Sequence, residues 1–255
     1  MLSLQGIAVR RDARTILAVE RLHIACDQFT VILGHNGSGK STLMNLMARQ
    51  FTADRGHVEL HNKPLEQYSV RDFARHVAFL PQHFPGAPGL TVRELVMLGR
   101  YPWRGLFGRW QAEDYRLTER ALQQTDIGHY AEHMADSLSG GERQRAWIAM
   151  SLAQQAPLIL LDEPTSALDL AHQYELMSLL RQLNRSAGRG IVAILHDINL
   201  AARYADRIVA LKQGRVFFDG SPAQLLCTEV LSELYGVAIQ LLDQPDHRNR
   251  IAVVS

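Results

Sequence analysis

The stretch Gly34-His35-Asn36-Gly37-Ser38-Gly39-Lys40-Ser41-Thr42 fits the pattern G-x-x-x-x-G-K-[ST] without exception. Glycines let backbone N–H groups converge on a phosphate, and a helix opening at the lysine turns its positive dipole end toward the same anion. Lys40 suits the β- and γ-phosphates of a nucleoside triphosphate, and the Ser41 hydroxyl suits a Mg²⁺ ion. A flexible glycine turn would share the composition. It would not share the apolar, strand-like Phe29–Leu33 before it or the helical spacing of Leu43, Leu46 and Met47 after it. The second half of a triphosphate site is an acid at the mouth of a buried strand. Leu158-Ile159-Leu160-Leu161 followed by Asp162 and Glu163 supplies one. Asp162 fits the metal shell and Glu163 fits a base that polarises an attacking water, so hydrolysis is the favoured chemistry.

A further segment, Leu138-Ser139-Gly140-Gly141-Glu142-Arg143-Gln144-Arg145, puts a hydroxyl and two glycines at a helix start. That is a second anion-binding surface. One nucleotide needs only one such cradle, so a second points to two chains each contributing half. Here the chain resembles the ATP-binding subunits of ABC transporters. Leu138–Arg145 is similar to the family's signature motif, Gly34–Thr42 to its Walker A and Leu158–Glu163 to its Walker B. Gln82 stands where the Q-loop glutamine belongs, Ser166-Ala167-Leu168-Asp169 resembles the D-loop, and His196 resembles the switch histidine. The motifs follow in family order, and the resemblance covers Met1 to about Gly236.

The resemblance implies an α/β fold: a P-loop NTPase core of the ABC ATPase type, with an N-terminal antiparallel β region and an inserted α-helical subdomain. It implies a homodimer, two copies packed head to tail around two ATP molecules with Mg²⁺. Lys40 and Ser41 of one copy would face Ser139 and Gly141 of the other across the γ-phosphate. Ser41, Gln82 and Asp162 would hold Mg²⁺, Glu163 would activate water and His196 would contact the γ-phosphate. Gln82 would also couple to a membrane partner, and Asp169 would communicate between the sites. One position departs from the pattern. The family stacks an aromatic residue on adenine in the N-terminal β region, and Arg11 stands there, where its guanidinium plane could stack instead.

Within the family, Glu94–Trp103, Ser137–Met150, Asp162–His172 and Leu195–Arg207 closely resemble iron-siderophore import ATPases, with the ferric hydroxamate type nearest and vitamin B12 and haem import ATPases close by. That group implies a dimeric integral-membrane permease, a periplasmic substrate-binding protein, and a peripheral place on the cytoplasmic face of the inner membrane. Tyr101–Trp110 interleaves large aromatics with arginines, and Pro102 and Gly105 break its periodicity. It reads either as core packing plus a loop or as a partner surface. With the resemblance, Val92–Trp110 and Gln82 become the expected permease face. Nothing in the chain reads the siderophore. Rival readings are a non-transport ABC ATPase in DNA repair or translation, which usually carries long insertions or two cassettes, and export rather than import.

These residues need a scaffold, and the composition permits one. The chain has 255 residues, 47% hydrophobic, ample for a core and incompatible with disorder. The net charge of +1 argues against a nucleic-acid partner. No apolar run reaches membrane-span length, no secretory pattern follows Met1, and two cysteines make no disulfide framework. Strand-like Leu2–Val9 and Thr15–Ile24 flank a turn at Asp12–Arg14. Strands Val77–Leu80, Leu158–Leu161, Ile191–Leu195, Ile208–Leu211 and Val216–Phe218 alternate with helices at Lys40–Arg49, Leu170–Arg185 and Asn199–Tyr204. Between Phe84 and Ala153 the pattern turns helical, at Val92–Leu98, Ala112–Thr125 and from Gly141. Ser221 reads as an N-cap with Pro222 at the first helical position, Thr228 as the cap of a helix Glu229–Tyr235, and the polar stretch Asp243–Arg250 as loose. The expected organisation is one ATPase domain over 1–236, with 83–153 as the inserted helical subdomain and 237–255 as a C-terminal extension. Two patterns are set aside. His129-Tyr130-Ala131-Glu132-His133 fits H-x-x-E-H but shows no third ligand, and Asn62-Lys63-Pro64-Leu65 lacks the acid that reads guanine.

Overall fold

In the computed structural model, which describes residues 1–12, 14–104, 108–166, 168–243 and 250–254, the chain opens with an antiparallel hairpin. Its strands are β1 (Leu2–Arg11) and β2 (Arg14–Ile24), and Asp12 in the turn takes a φ of 46°. Leu2 and Leu4, and then Ile7 and Val9, are buried, a period of two that slips by one residue at Gly6, whose φ is 60°. β3 (Phe29–Gly34) is different: all six residues are buried, as befits a central strand covered on both faces. It leads into α1 (Lys40–Met47), whose Leu43, Met44, Leu46 and Met47 are buried. β4 (Arg55–Leu60) then pairs with β1, and the short β5 (Lys63–Pro64) with β4.

Residues Glu66–Arg189 form a compact unit of their own. It starts with α2 (Val70–His76), capped by Ser69, and β6 (Val77–Leu80). Three helices follow: α3 (Val92–Leu98), α4 (Ala112–Gln124) and α5 (Gly140–Ala153). Thr91 and Glu94 close a capping box on α3, satisfying donors that a helix N-terminus leaves open. Arg100 and Asp114, both almost fully buried, form an ion pair of 2.9 Å between the α3 end and α4, and Arg100 also donates to the Ala153 carbonyl at the end of α5. The chain then runs through β7 (Leu158–Leu161), buried throughout and parallel to β6, into α6 (Leu170–Ala187).

The other unit, Met1–Leu65 with Gly190–Ser255, resumes with β8 (Gly190–Ile194) and α7 (Ile198–Tyr204). β9 (Arg207–Lys212) and β10 (Arg215–Gly220) follow; β8 and β9 both pair parallel with β3, and β10 pairs antiparallel with β9. α8 (Pro222–Leu225) is capped by Ser221, and α9 (Thr228–Tyr235) ends at Gly236. A hairpin of β11 (Ile239–Asp243) and β12 (Arg250–Val254) completes the unit. The α/β class, the N-terminal antiparallel region and the helical insertion are therefore as the sequence reads.

Several local expectations shift. Thr228 is the first helical residue of α9 rather than its cap, a place taken by Cys227, whose thiol caps no backbone N–H and donates instead to the Glu229 carboxylate. Most of the stretch read as loose lies outside the described residues, but its ends Asp243 and Arg250 are paired across the hairpin and joined by a 3.2 Å salt bridge. The ladder holds them. His129 sits in a single 3₁₀ turn, Gly128–Tyr130, and His133 beyond it, so the two histidines share no α-helical face.

Candidate nucleotide site

The glycine-rich loop lies between β3 and α1. Gly39, immediately before α1, has a φ of 100°, and a Cβ there would come within 3.0 Å of the Ile16 carbonyl oxygen. Gly37 has a φ of 77° with no protein atom beside it, so glycine is needed there for the backbone turn and not for packing. Lys40 is buried, and its ammonium donates to the carbonyls of Gly34 at 2.8 Å and His35 at 2.9 Å. Its charge is thus held at the loop by the loop's own oxygens. The Ser38 N–H donates to the His35 carbonyl, and the Ser38 carbonyl accepts from Gly214 N–H in the β9–β10 turn. Left-handed glycines, a helix start and a fixed cation make a concavity suited to phosphate oxygens.

Within residues 66–189, β6 and β7 bring their C-terminal ends together. The Asp162 N–H donates to the Leu80 carbonyl, which carries the pairing one residue past β7 and fixes the acid where the strands stop. Asp162 is buried. Glu163 takes a φ of 51°, a left-handed backbone that costs a non-glycine residue about 1–3 kcal/mol. Ser166 holds it there, donating N–H and hydroxyl to the Glu163 carbonyl at 3.2 and 3.0 Å. The Glu163 carboxylate accepts from Gln82 Nε2 at 2.6 Å, and the Gln144 amide donates to the Pro164 carbonyl. Gln82, Gly140, Gln144, Asp162 and Glu163 line one cleft. Gln82, the start of α5 and both acids are therefore neighbours in the folded unit.

Ser139 caps α5. Its hydroxyl accepts from Glu142 N–H at 3.4 Å, and its N–H donates to the Glu142 carboxylate at 2.8 Å. The Tyr130 hydroxyl, together with the Ser139 hydroxyl and N–H, holds the Glu142 carboxyl down to about 2. Gly141 lies beside Leu168, so the start of α5 and the turn before α6 touch. Asp169 caps α6 by accepting from His172 N–H, and hydrogen bonds from the His172 backbone and ring lower its pKa. Ala167 lies outside the described residues. His196 is exposed just after β8, ahead of Asp197, which caps α7 by accepting from Leu200 N–H. Arg11 is exposed at the end of β1.

The expected partner face, Val92–Trp110, narrows. Val92, Leu95 and Val96 are buried in the packing of α3, and Arg100 is consumed by Asp114, so these cannot meet a partner. Among its described residues the stretch exposes Glu94, Tyr101, Trp103 and Arg109, with Tyr101 and Trp103 together in one 3₁₀ turn; residues 105–107 lie outside the described part. Arg71 and Arg75 both donate to the Pro102 carbonyl, Trp103 Nε1 donates to the Gln154 carbonyl at 2.6 Å, and the guanidinium groups of Arg75 and Arg100 lie over the indole. Sequence reasoning missed Gln144, Gln154 and the Arg100–Asp114 pair. Each depends on a partner at least ten positions away, and no local pattern marks it. Among the described residues no helix is long and apolar enough to cross a membrane.

Residues 19–166 match the family model described as ABC transporter. The ferric enterobactin transport ATP-binding protein FepC of Escherichia coli (strain K12) is 44% identical over 217 residues, 85% of this chain and 80% of that protein. The iron(3+)-hydroxamate import ATP-binding protein FhuC of Bacillus subtilis (strain 168) is 40% identical over 244 residues, 96% of this chain and 91% of that protein. Among solved structures, a metal-chelate type ABC transporter in an inward-facing conformation superposes with a TM-score of 0.86 at 28% identity, covering 100% of this chain and 97% of that one. A dimeric ATP-binding cassette in a post-hydrolysis state with ADP and Pi gives 0.76 at 30% identity, covering 87% and 99%.

Proposed function

This chain belongs to the ABC transporter family as an ATP-binding, ATP-hydrolysing subunit, and from that premise we propose that it energises import of a ferric siderophore through a partner permease. The likeness to enterobactin and hydroxamate import subunits at 44% and 40% supports the siderophore class more than any one chelate. The hydroxamate type is the reading that the motif stretches favour. The chain works as a homodimer on the cytoplasmic face of the inner membrane, held there by the permease, with a periplasmic binding protein delivering the cargo. Residues 1–236 act as one ATPase domain, 83–153 as its helical subdomain and 237–255 as an extension.

The observation that carries the catalytic reading is the cleft that gathers Gln82, Gly140, Asp162 and Glu163. The loop Gly34–Thr42 binds the phosphates, with Lys40 on the β- and γ-groups, and Arg11 stacks on the base. Ser41 and Asp162 offer hard oxygen donors of the kind Mg²⁺ takes, with Gln82 as a third, so the donor set fits that ion. When bound, Mg²⁺ neutralises charge on the β- and γ-phosphates. Glu163 accepts the proton of a water as its oxygen bonds to the γ-phosphorus and the bond to ADP breaks. The Gln82 amide donates to the Glu163 carboxylate and holds it between turnovers. His196 contacts the γ-phosphate, and Ser139, Gly140 and Gly141 of the second copy close over it. Asp169 links the two sites. Tyr101 and Trp103, pinned by Arg71, Arg75 and Gln154, form the permease contact together with Gln82.

Deleting the gene and measuring uptake of iron-55 ferrichrome and iron-55 enterobactin, with purification of the tagged chain from membranes, tests this reading. Loss of siderophore uptake and recovery of a polytopic permease are expected. Unchanged uptake of both, with an exporter recovered, would overturn it.

A further inference from the structure

The last elements of the chain reach back to the phosphate loop by a route that the catalytic motifs do not include. The Tyr235 ring, at the end of α9, packs edge-on against the His35 ring with centroids 5.2 Å apart. His35 is the loop residue whose carbonyl accepts both from Lys40 Nζ, at 2.9 Å, and from Ser38 N–H, at 3.1 Å. Tyr235 therefore touches the residue that anchors the lysine. The Tyr235 hydroxyl is buried with no hydrogen-bond partner among the described residues, which leaves the ring as the part that acts. Burial, with the Asp197 carboxylate nearby, pushes that hydroxyl up to about 12, so it stays neutral at any physiological pH.

α9 is itself held in place from two sides. Lys212 Nζ donates to the Glu233 carbonyl at 2.6 Å, a cation on the last turn of the helix. The Ser232 hydroxyl accepts from Ile239 N–H at the start of β11. The hairpin it begins is then clasped to α7, where Asn199 Nδ2 donates to the Ala252 carbonyl at 3.1 Å and Asn199 Oδ1 accepts from Ala252 N–H at 2.8 Å. That amide copies the paired bonds of a β-ladder. The path is continuous: α7, which follows His196, then β12, β11, α9 and Tyr235, ending on His35.

We infer that Tyr235 is a positioning residue for ATP binding: through His35 it sets the loop carbonyl that orients Lys40, and the C-terminal hairpin serves to hold Tyr235 in register. This rests on the reading of Gly34–Thr42 as the triphosphate site. The energy of a ring pair of this kind caps the affinity change on its loss at about tenfold.

The test is calorimetric titration of the full-length chain with MgATP, together with steady-state hydrolysis. Tyr235→Ala is expected to weaken binding about three- to tenfold and to raise KM by the same factor with kcat kept. Tyr235→Phe keeps the ring and loses only the partnerless hydroxyl, and it restores the wild-type values. Asn199→Ala shifts affinity in the same direction by less. Should Tyr235→Ala fail to fold, Tyr235→Leu, which keeps apolar volume without the ring edge, is expected to show the same KM effect in a folded chain. Wild-type affinity in the folded Ala or Leu variant overturns the inference, as does a fall in kcat at unchanged KM, or a Phe variant as impaired as Ala. Lys40→Ala separates the two levels. If it binds MgATP as wild type does, the reading of the loop itself fails; if it loses binding while Tyr235→Ala does not, only the role of Tyr235 fails.

Discussion

Removing the Asp114 carboxylate is predicted to destabilise the 66–189 unit far more than an ordinary ion-pair deletion. Exposed pairs contribute about 0–1 kcal/mol, because water screens them and two long side chains lose freedom. Arg100 and Asp114 are each only 7% exposed, so neither charge has water to fall back on. Asp114 takes Arg100 Nε on one oxygen at 2.9 Å and Gln111 N–H on the other at 3.0 Å, closing the start of α4. Asp114→Ala leaves the guanidinium buried without a counter-charge, held by the Ala153 carbonyl and the Trp103 ring face, a loss of about 3–5 kcal/mol. The double variant Arg100→Met with Asp114→Leu removes the stranded charge. It is expected to sit within about 1–2 kcal/mol of wild type, the remaining deficit being the lost cap of α4. The assay is urea unfolding followed by tryptophan fluorescence. All three tryptophans, Trp103, Trp110 and Trp147, lie in this unit, so the signal reports it alone. A loss below about 1 kcal/mol for Asp114→Ala would mean that the pair behaves as a solvated surface contact and is not held as a buried charge pair. A double variant no better than the single would mean that the stranded charge is not the source of the loss.

Glu142 is expected to titrate near 2, well below the ordinary glutamate value of 4.5. The folded value is depressed, so what its ionised form contributes to the α5 cap is complete above the ordinary range and fades only as pH falls toward 2. A carbon-13 NMR titration checks this, and Tyr130→Phe should move the midpoint upward because Tyr130 is its largest hydrogen-bond donor; a wild-type midpoint near 4.5 would contradict it. Trp103→Ala is expected to leave ATPase of the isolated chain within about twofold of wild type while cutting recovery of the permease about tenfold, the loss of a single aromatic anchor. Undiminished permease recovery would remove Trp103 from the docking surface.

The chemistry was legible because it is contiguous. Phosphate binding needs N–H groups from successive residues, so Gly34–Thr42 shows itself in any fold, and Asp162–Glu163 shows itself because the strand before it is wholly apolar. Helix starts were readable for a similar reason: Ser139 with Glu142 and Ser221 with Gln224 are local boxes closed within one turn. What escaped depends on distant partners. Arg100 looks like part of an exposed arginine-rich run until Asp114 is brought beside it across the α3–α4 corner. Val92–Leu98 looked available to a partner, but its apolar face packs inward. The hairpin of β11 and β12 is a weak strand signal by itself. It becomes ordered structure only by pairing and by its grip on Asn199. The left-handed backbone of Glu163 has no sequence marker at all, since glutamate does not favour it; it is held by the Ser166 N–H and hydroxyl on the Glu163 carbonyl.

In the proposed reading Glu163 moves the proton in ATP hydrolysis while the glycine loop binds the phosphates. The most direct measurement is MgATP binding and turnover, side by side, in purified Glu163→Gln chain. The amide keeps the shape of the carboxylate but cannot accept the proton. Affinity within about threefold of wild type and turnover reduced by about 10²-fold or more are expected, the loss that follows removal of a general base. Near-normal turnover would contradict the role of Glu163, and loss of binding in a folded Glu163→Gln chain would contradict the division of labour between the acid and the loop.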